Sequence, residues 1–242
     1  GYATVHMGKW HLGDIEESYA INQGFDYAEH PMHQQGQMAL MNETAELEGL
    51  SIGQSRKLRA DTFELDKSFR TNPNAMVYGV VGKKGGPMRE VNFKAGEVYT
   101  QEHYNRMEAS YMQGTLKQLE RLAKGDKPFF LQYWPQHPLT FTRSDIEQAR
   151  TLNGGPIAES IVKVDGWIGE ILDKIEELGI AGNTVVMVMG DNGPFMQYVD
   201  KSGASDRIYR GGKAEHLEGG VRVNAFMRWK GVLEPGSRAQ DI

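Results

Sequence analysis

Twice along this chain a stretch with helical spacing ends at a glycine and gives way, within a few residues, to a run that is apolar at consecutive positions. From Thr100, a suitable N-cap, Tyr104, Met107, Tyr111, Leu119 and Leu122 keep helical intervals until Gly125. The run Pro128-Phe129-Phe130-Leu131-Gln132-Tyr133-Trp134 follows. The second helical stretch extends from about Ile157 to Leu178. It puts Ile161, Val164, Ile168, Ile171, Leu172, Ile175 and Leu178 on one face and Gly179 at its C-terminal cap, ahead of Thr184-Val185-Val186-Met187-Val188-Met189. A strand with apolar side chains on both faces has to be covered on both faces, and that is the situation of a parallel sheet. The alternation therefore predicts an α/β fold, a doubly wound and mainly parallel sheet with helices on both faces. With 242 residues, 39% of them hydrophobic, the chain can bury the core of one large domain spanning 1–242.

Between His30 and Gly96 the pattern changes. Polar and charged residues dominate, and Gly85-Gly86 separates Met76-Val77-Tyr78-Gly79-Val80-Val81 from Val91-Asn92-Phe93. This region reads as a variable excursion, 30–96, holding a small hairpin. Lys and Arg total 27 against 32 Asp and Glu, a net charge of -5, so no basic field draws in nucleic acid or an anionic membrane surface. No apolar stretch reaches the length of a bilayer span, and an anion would have to be held by a local cluster. Cysteine is absent, which removes disulfides, thiolate metal ligands and a cysteine nucleophile from these residues.

In open α/β sheets ligands gather beyond the carboxyl ends of the strands, and the chemically useful side chains fall there. Asp191 and Asn192 follow the 184–189 run between Gly190 and Gly193, and offer a carboxylate and a neutral carbonyl oxygen, donors suited to a hard cation. The same residues also make a common turn. In Gly8-Lys9-Trp10-His11, an extended backbone would put Lys9 and His11 on one face with Trp10 packing on the other, a cation and an imidazole suited to an anionic substrate. The glycine-rich segment Tyr209 to Arg222 carries Lys213 ahead of a predicted strand, Val221 to Met227, and His137 stands between Pro135 and Pro138 beyond the Trp134 strand. Singly, each residue has an ordinary structural reading as a turn, a solvated lysine or a loop histidine. Jointly, Lys9, His11, His137, Asp191, Asn192 and Lys213 occupy the positions from which one α/β active site is assembled.

The opening run resembles the sulfatase signature Gly-Tyr-x-Thr-x-x-x-Gly-Lys-Trp-His-Leu-Gly and matches every fixed position from Gly1 to Gly13. The resemblance continues through Gln23-Gly24-Phe25-Asp26, Glu176-Glu177-Leu178-Gly179, Asp191-Asn192-Gly193, Gly212-Lys213 and Glu218-Gly219-Gly220-Val221-Arg222, leaving mainly 30–96 unmatched. It implies an alkaline phosphatase-like fold and hydrolysis of sulfate monoesters of small molecules or saccharides. It further implies a calcium ion, a formylglycine made from Cys or Ser, and a periplasmic or secreted location. By the same resemblance Asp191 and Asn192 are metal ligands, Lys9 and Lys213 bind the sulfate, His11 hydrogen-bonds the formylglycine hydrate, and a histidine after the Phe129 strand protonates the leaving group. The family usually places that histidine as His-x-Pro, a spacing that puts Gln136 in its place and His137 one residue further on. The family's Cys-or-Ser-x-Pro-x-Arg motif and its paired acidic metal ligands precede the signature at which this chain opens. The expectation is thus a central part of a catalytic domain, without its N-terminal nucleophile segment and its C-terminal part, and inactive alone. Its calcium site would be incomplete, since calcium takes six to eight oxygens. Two other readings are a phosphonate monoester or phosphodiester hydrolase of the same superfamily, and a catalytically silent, sulfatase-like binding protein.

Overall fold

The computed structural model describes residues 1–13, 15–31, 79–87, 89–91, 101–136, 155–194 and 208–239. They fall into two compact units, Gly1–Glu147 and Gln148–Ile242.

In the first unit the alternation along β1 (Ala3–Gly8) decides which side of the sheet is which. Val5 and Met7 are fully buried in a cluster with Leu122, against which Ala3, Tyr27, Phe129, Leu131 and Tyr133 also pack. His6 points the other way, toward Trp10 and Phe25, which belong to a second cluster with Tyr19, Ala20, Ile21 and Ala28. The strands are β1, β2 (Tyr27–Pro31), β3 (Gly79–Lys83), β4 (Arg89–Val91) and β5 (Phe129–Trp134), in the spatial order β4-β3-β2-β1-β5. β1 is parallel to both β2 and β5, with Val5 opposite Leu131 and Gly8 opposite Trp134. β3 and β4 add an antiparallel hairpin, turning at Lys84 to Gly86 where the glycine pair predicts it. The α/β reading is borne out, with a parallel centre and an antiparallel edge; the rest of the 30–96 excursion lies outside the described residues, apart from its first two.

Helix α1 (Gln101–Ala123) has the predicted extent, and its predicted positions Met107, Tyr111, Leu119 and Leu122 are buried. The side chain of Tyr104 and the predicted cap Thr100 lie outside the described residues. The same face also buries Glu108, Met112 and Thr115. The Thr115 hydroxyl is accommodated there by donating 2.8 Å to the Tyr111 carbonyl one turn back. Gly114 makes the close approach of helix to sheet, since a Cβ at this position would lie 2.6 Å from Met7 Cε.

In the second unit α2 (Gly155–Glu177) ends as predicted at Gly179, whose φ of 70° is left-handed. Gly179 N–H donates to the Glu176 carbonyl at 2.9 Å and Ile180 N–H to the Ile175 carbonyl at 3.2 Å, the paired closure of a Schellman motif. One predicted core position is corrected: Ile161 is exposed, whereas Trp167 is buried beneath the Lys163 ammonium. The Lys163 stem and charge shield the indole, which stands on a different side of the helix from Ile161. Strand β6 (Val186–Met189) takes up the last four residues of the predicted 184–189 run, but the expected two-sided burial in a parallel sheet is corrected: it pairs antiparallel with β7 (Ala225–Arg228) in a two-stranded sheet and leaves Met187 and Met189 exposed on one face. The predicted strand from Val221 is also corrected, because Glu218–Val221 forms a short helix, α3, and the strand starts only at Ala225.

Candidate functional site

Each unit positions part of the candidate set, and each part is built largely from backbone. In the first unit β1 ends at Gly8, where φ is 94° and an added Cβ would fall inside contact distance of the Trp134 carbonyl oxygen. Only glycine lets the chain turn away from the sheet so close to its neighbouring strand. The next residue donates its N–H to that same Trp134 carbonyl at 2.6 Å, so Lys9 is pinned to the last residue of β5. Trp10 then enters the core and donates its indole N–H 2.8 Å to the Ser18 carbonyl. Lys9 is half-buried and His11 exposed, in keeping with the predicted inward turn of Trp10 between them.

His6 lies beneath this turn and was not singled out from sequence. It is fully buried, its Nε2 lies 3.3 Å from the Gly8 carbonyl and 3.0 Å from the Lys9 carbonyl, and its Nδ1 lies 3.3 Å from the atom placed as Oε1 of the Gln132 amide. Burial pushes its pKa down to about 4, against the opposing effect of those hydrogen bonds. The imidazole is therefore neutral near pH 7 and carries one N–H. Only a donor satisfies two carbonyls, so that proton sits on Nε2, and the Gln132 amide must turn its NH2 end toward Nδ1. The signal for His6 was available in the sequence, since strand alternation puts it on the side opposite Val5 and Met7.

Beyond β5 the chain runs through Pro135 to Gln136, which is 2% exposed. Its backbone N–H donates 2.8 Å to Oε2 of Glu108, a fully buried carboxylate on α1. A carboxamide has no proton to give at neutral pH, and this one is enclosed, so Gln136 does not serve as a proton donor. His137 lies outside the described residues. Glu108 was also missed, although a charged residue three before Tyr111 and four after Tyr104 stands on the apolar stripe of the helix.

In the second unit the Asp191-Asn192 turn is tied directly to the lysine loop. Lys213 N–H donates to the Pro194 carbonyl at 2.8 Å, and Gly193 N–H to the Gly220 carbonyl at 3.0 Å. An added Cβ at Gly193 would fall on the Gly219 carbonyl oxygen, and one at Gly219 on the Gly211 carbonyl oxygen. Asp191 is exposed, while Asn192 and Lys213 are half-buried. The Asn192 amide nitrogen donates 2.9 Å to the Gly193 carbonyl, which commits the NH2 group and leaves the carbonyl oxygen as the end available to a ligand. Two hard oxygen donors on one turn fit calcium in kind. Among the described residues no group of three or more His, Cys, Asp or Glu is arranged around a metal position.

Among known proteins, the family model described as Sulfatase matches residues 1–242. An arylsulfatase of Hemicentrotus pulcherrimus is 25% identical over 98% of this chain and 37% of its own length. N-acetylgalactosamine-6-sulfatase of Sus scrofa is 27% identical over 100% of this chain and 40% of its own. The PsFucS1 sulfatase from Pseudoalteromonas sp. superimposes with a TM-score of 0.69 at 24% identity, covering 96% of this chain and 43% of that one. The chain thus spans about two fifths of the length of these relatives.

Proposed function

The chain belongs to the sulfatase family, and we propose that the protein carrying it hydrolyses sulfate monoesters, releasing a saccharide or another small alcohol. The observation that carries this reading is the Gly8-Lys9 turn. It sets a half-buried cation at the carboxyl end of a parallel strand pair, where an anion is best met in such a sheet. The name of the Sus scrofa relative favours a sugar sulfate, and a secreted or periplasmic protein would meet such substrates. Among the described residues no helix is long and apolar enough to cross a membrane.

The sulfatase family is generally calcium-dependent. When present, calcium and formylglycine supply charge neutralisation at the sulfate and the attacking hydroxyl. This chain's own residues do the rest. Lys9 and Lys213 bind the sulfate oxygens and favour the charge that builds as the sulfur–oxygen bond stretches. Asp191 and Asn192 hold the cation through their oxygens. His11 donates a hydrogen bond on the nucleophile side, and His137 passes a proton to the bridging oxygen as the alcohol leaves.

In the full-length protein, Lys9→Ala and Lys213→Ala are each expected to lower kcat/KM on an aryl sulfate by about 10²- to 10³-fold. Unchanged rates would remove both lysines from the site. An aryl phosphonate hydrolysed faster than the matching aryl sulfate would shift the assignment to phosphonate chemistry. A calcium-loaded protein that turns over neither ester would leave only a binding role.

A further inference from the structure

We infer that His6 is a positioning residue for Lys9: its Nε2–H holds the carbonyls of Gly8 and Lys9 while Trp134 holds the Lys9 N–H, so the backbone from which the lysine side chain departs is fixed from both sides. The assignment rests on the proposed sulfate-binding role of Lys9.

A turn that follows a left-handed glycine has no regular structure to hold it, and its carbonyls must find donors or water. Here water is excluded. His6 is fully buried, and its ring is walled by Trp10 at 4.8 Å, Trp134 at 5.3 Å and Phe25 at 5.5 Å between centroids, with His30 at 6.3 Å. These rings stop the imidazole from turning over, and the Gln132 amide fixes its far nitrogen. Gln132 stands on β5 opposite His6 on β1, so the donor is set by the register of the parallel pair. An uncharged ring can do this without burying an unpaired positive charge among these aromatic side chains. The low pKa of His6, with burial as its main cause, keeps it in that state near neutral pH.

Two substitutions in the full-length protein separate positioning from packing. His6→Leu fills much of the space without an N–H, whereas His6→Gln keeps a donor at nearly the reach of Nε2. His6→Leu is expected to lower kcat/KM on an aryl sulfate, and to weaken inhibition by inorganic sulfate, by about 10- to 100-fold, the scale of a misplacement near 1 Å. His6→Gln is expected to restore most of both. In the wild-type protein, nitrogen-15 spectra of the imidazole are expected to show the proton on Nε2 near neutral pH, and the Lys9 amide is expected to exchange slowly. A folded His6→Leu protein with unchanged kinetics, a folded His6→Gln protein no better than His6→Leu, or a proton on Nδ1 would each overturn the assignment. If the wild type binds inorganic sulfate but turns over no sulfate ester, the proposed reaction fails, and the tautomer and the sulfate affinities of the two variants still decide the role of His6.

Discussion

A neutral imidazole inside the fold has a cost that appears only in acid. His6 has an ordinary pKa of 6.5 when the chain is unfolded and about 4 when folded, so the unfolded chain takes up the proton first as pH falls. Its contribution to stability is full above 6.5 and is lost as pH falls through the window from 6.5 to 4. The loss amounts to about 3 kcal/mol at 1.36 kcal/mol per pKa unit. Urea unfolding at pH 7 and pH 4 is expected to show a wild-type decrease larger than that of His6→Gln by about this amount. Equal decreases would mean that burial leaves the pKa of the ring near its ordinary value. Glu108 is a second single-residue case: Glu108→Ala leaves the Gln136 N–H buried without its acceptor and is expected to cost about 1–3 kcal/mol by the same measurement, with Glu108→Gln costing less. Local spacing turns both side chains inward, but it does not show what they hold. A histidine in a strand and a glutamate in a helix are usually solvated, and what buries these two is the strand or loop that packs over them from far along the chain.

Among the elements, those with a long period were legible and those shaped by close backbone approach were not. α1, α2 and β5 followed from apolar spacing, and Gly179 from its place one residue past the last turn of α2. The run Val221 to Met227 has the composition of a strand, yet its first residue ends a helical turn. Gly219 N–H is held by the Arg210 carbonyl at 2.8 Å and the Gly220 carbonyl by Gly193 N–H at 3.0 Å, contacts from outside the turn that no local propensity encodes. Gly8 shows the same physics at the end of β1. Gly8→Ala requires a left-handed backbone in a residue with a side chain and drives that side chain onto the Trp134 carbonyl, so it is expected to lower stability by at least about 2 kcal/mol in urea unfolding. A neutral effect would mean that the turn relaxes at no cost and is not the fixed platform for Lys9 described above.

At the scale of the whole molecule, the sequence foresaw an α/β chain with polar residues beyond its strand ends, but not the division into two units or the β6–β7 pairing. Pairing partners are chosen by register and burial over long sequence distances, and apolar runs such as Val186–Met189 look alike whichever strand they meet. The proposed metal part of the site shows a similar limit. Asp191 and Asn192 were legible as hard oxygen donors, whereas their connection to Lys213 depends on backbone bonds from Gly193 and Pro194. With its partner ligands present in the full-length protein, Asp191→Ala is expected to weaken calcium binding by roughly tenfold or more in titration calorimetry. An unchanged affinity would place the cation elsewhere.

The bond between Lys9 and Trp134 also bears on how the chain folds. His6 and Gln132, which meet beneath that bond, are 126 residues apart in sequence. The turn carrying Lys9 therefore cannot close on its own strand's information. It waits for β5 to be synthesised, to dock beside β1 in the correct rung, and to repay the entropy of closing a loop of that size. A nascent chain released before Trp134 would hold the whole Gly1 to Gly13 motif and still lack the carbonyl that anchors its lysine.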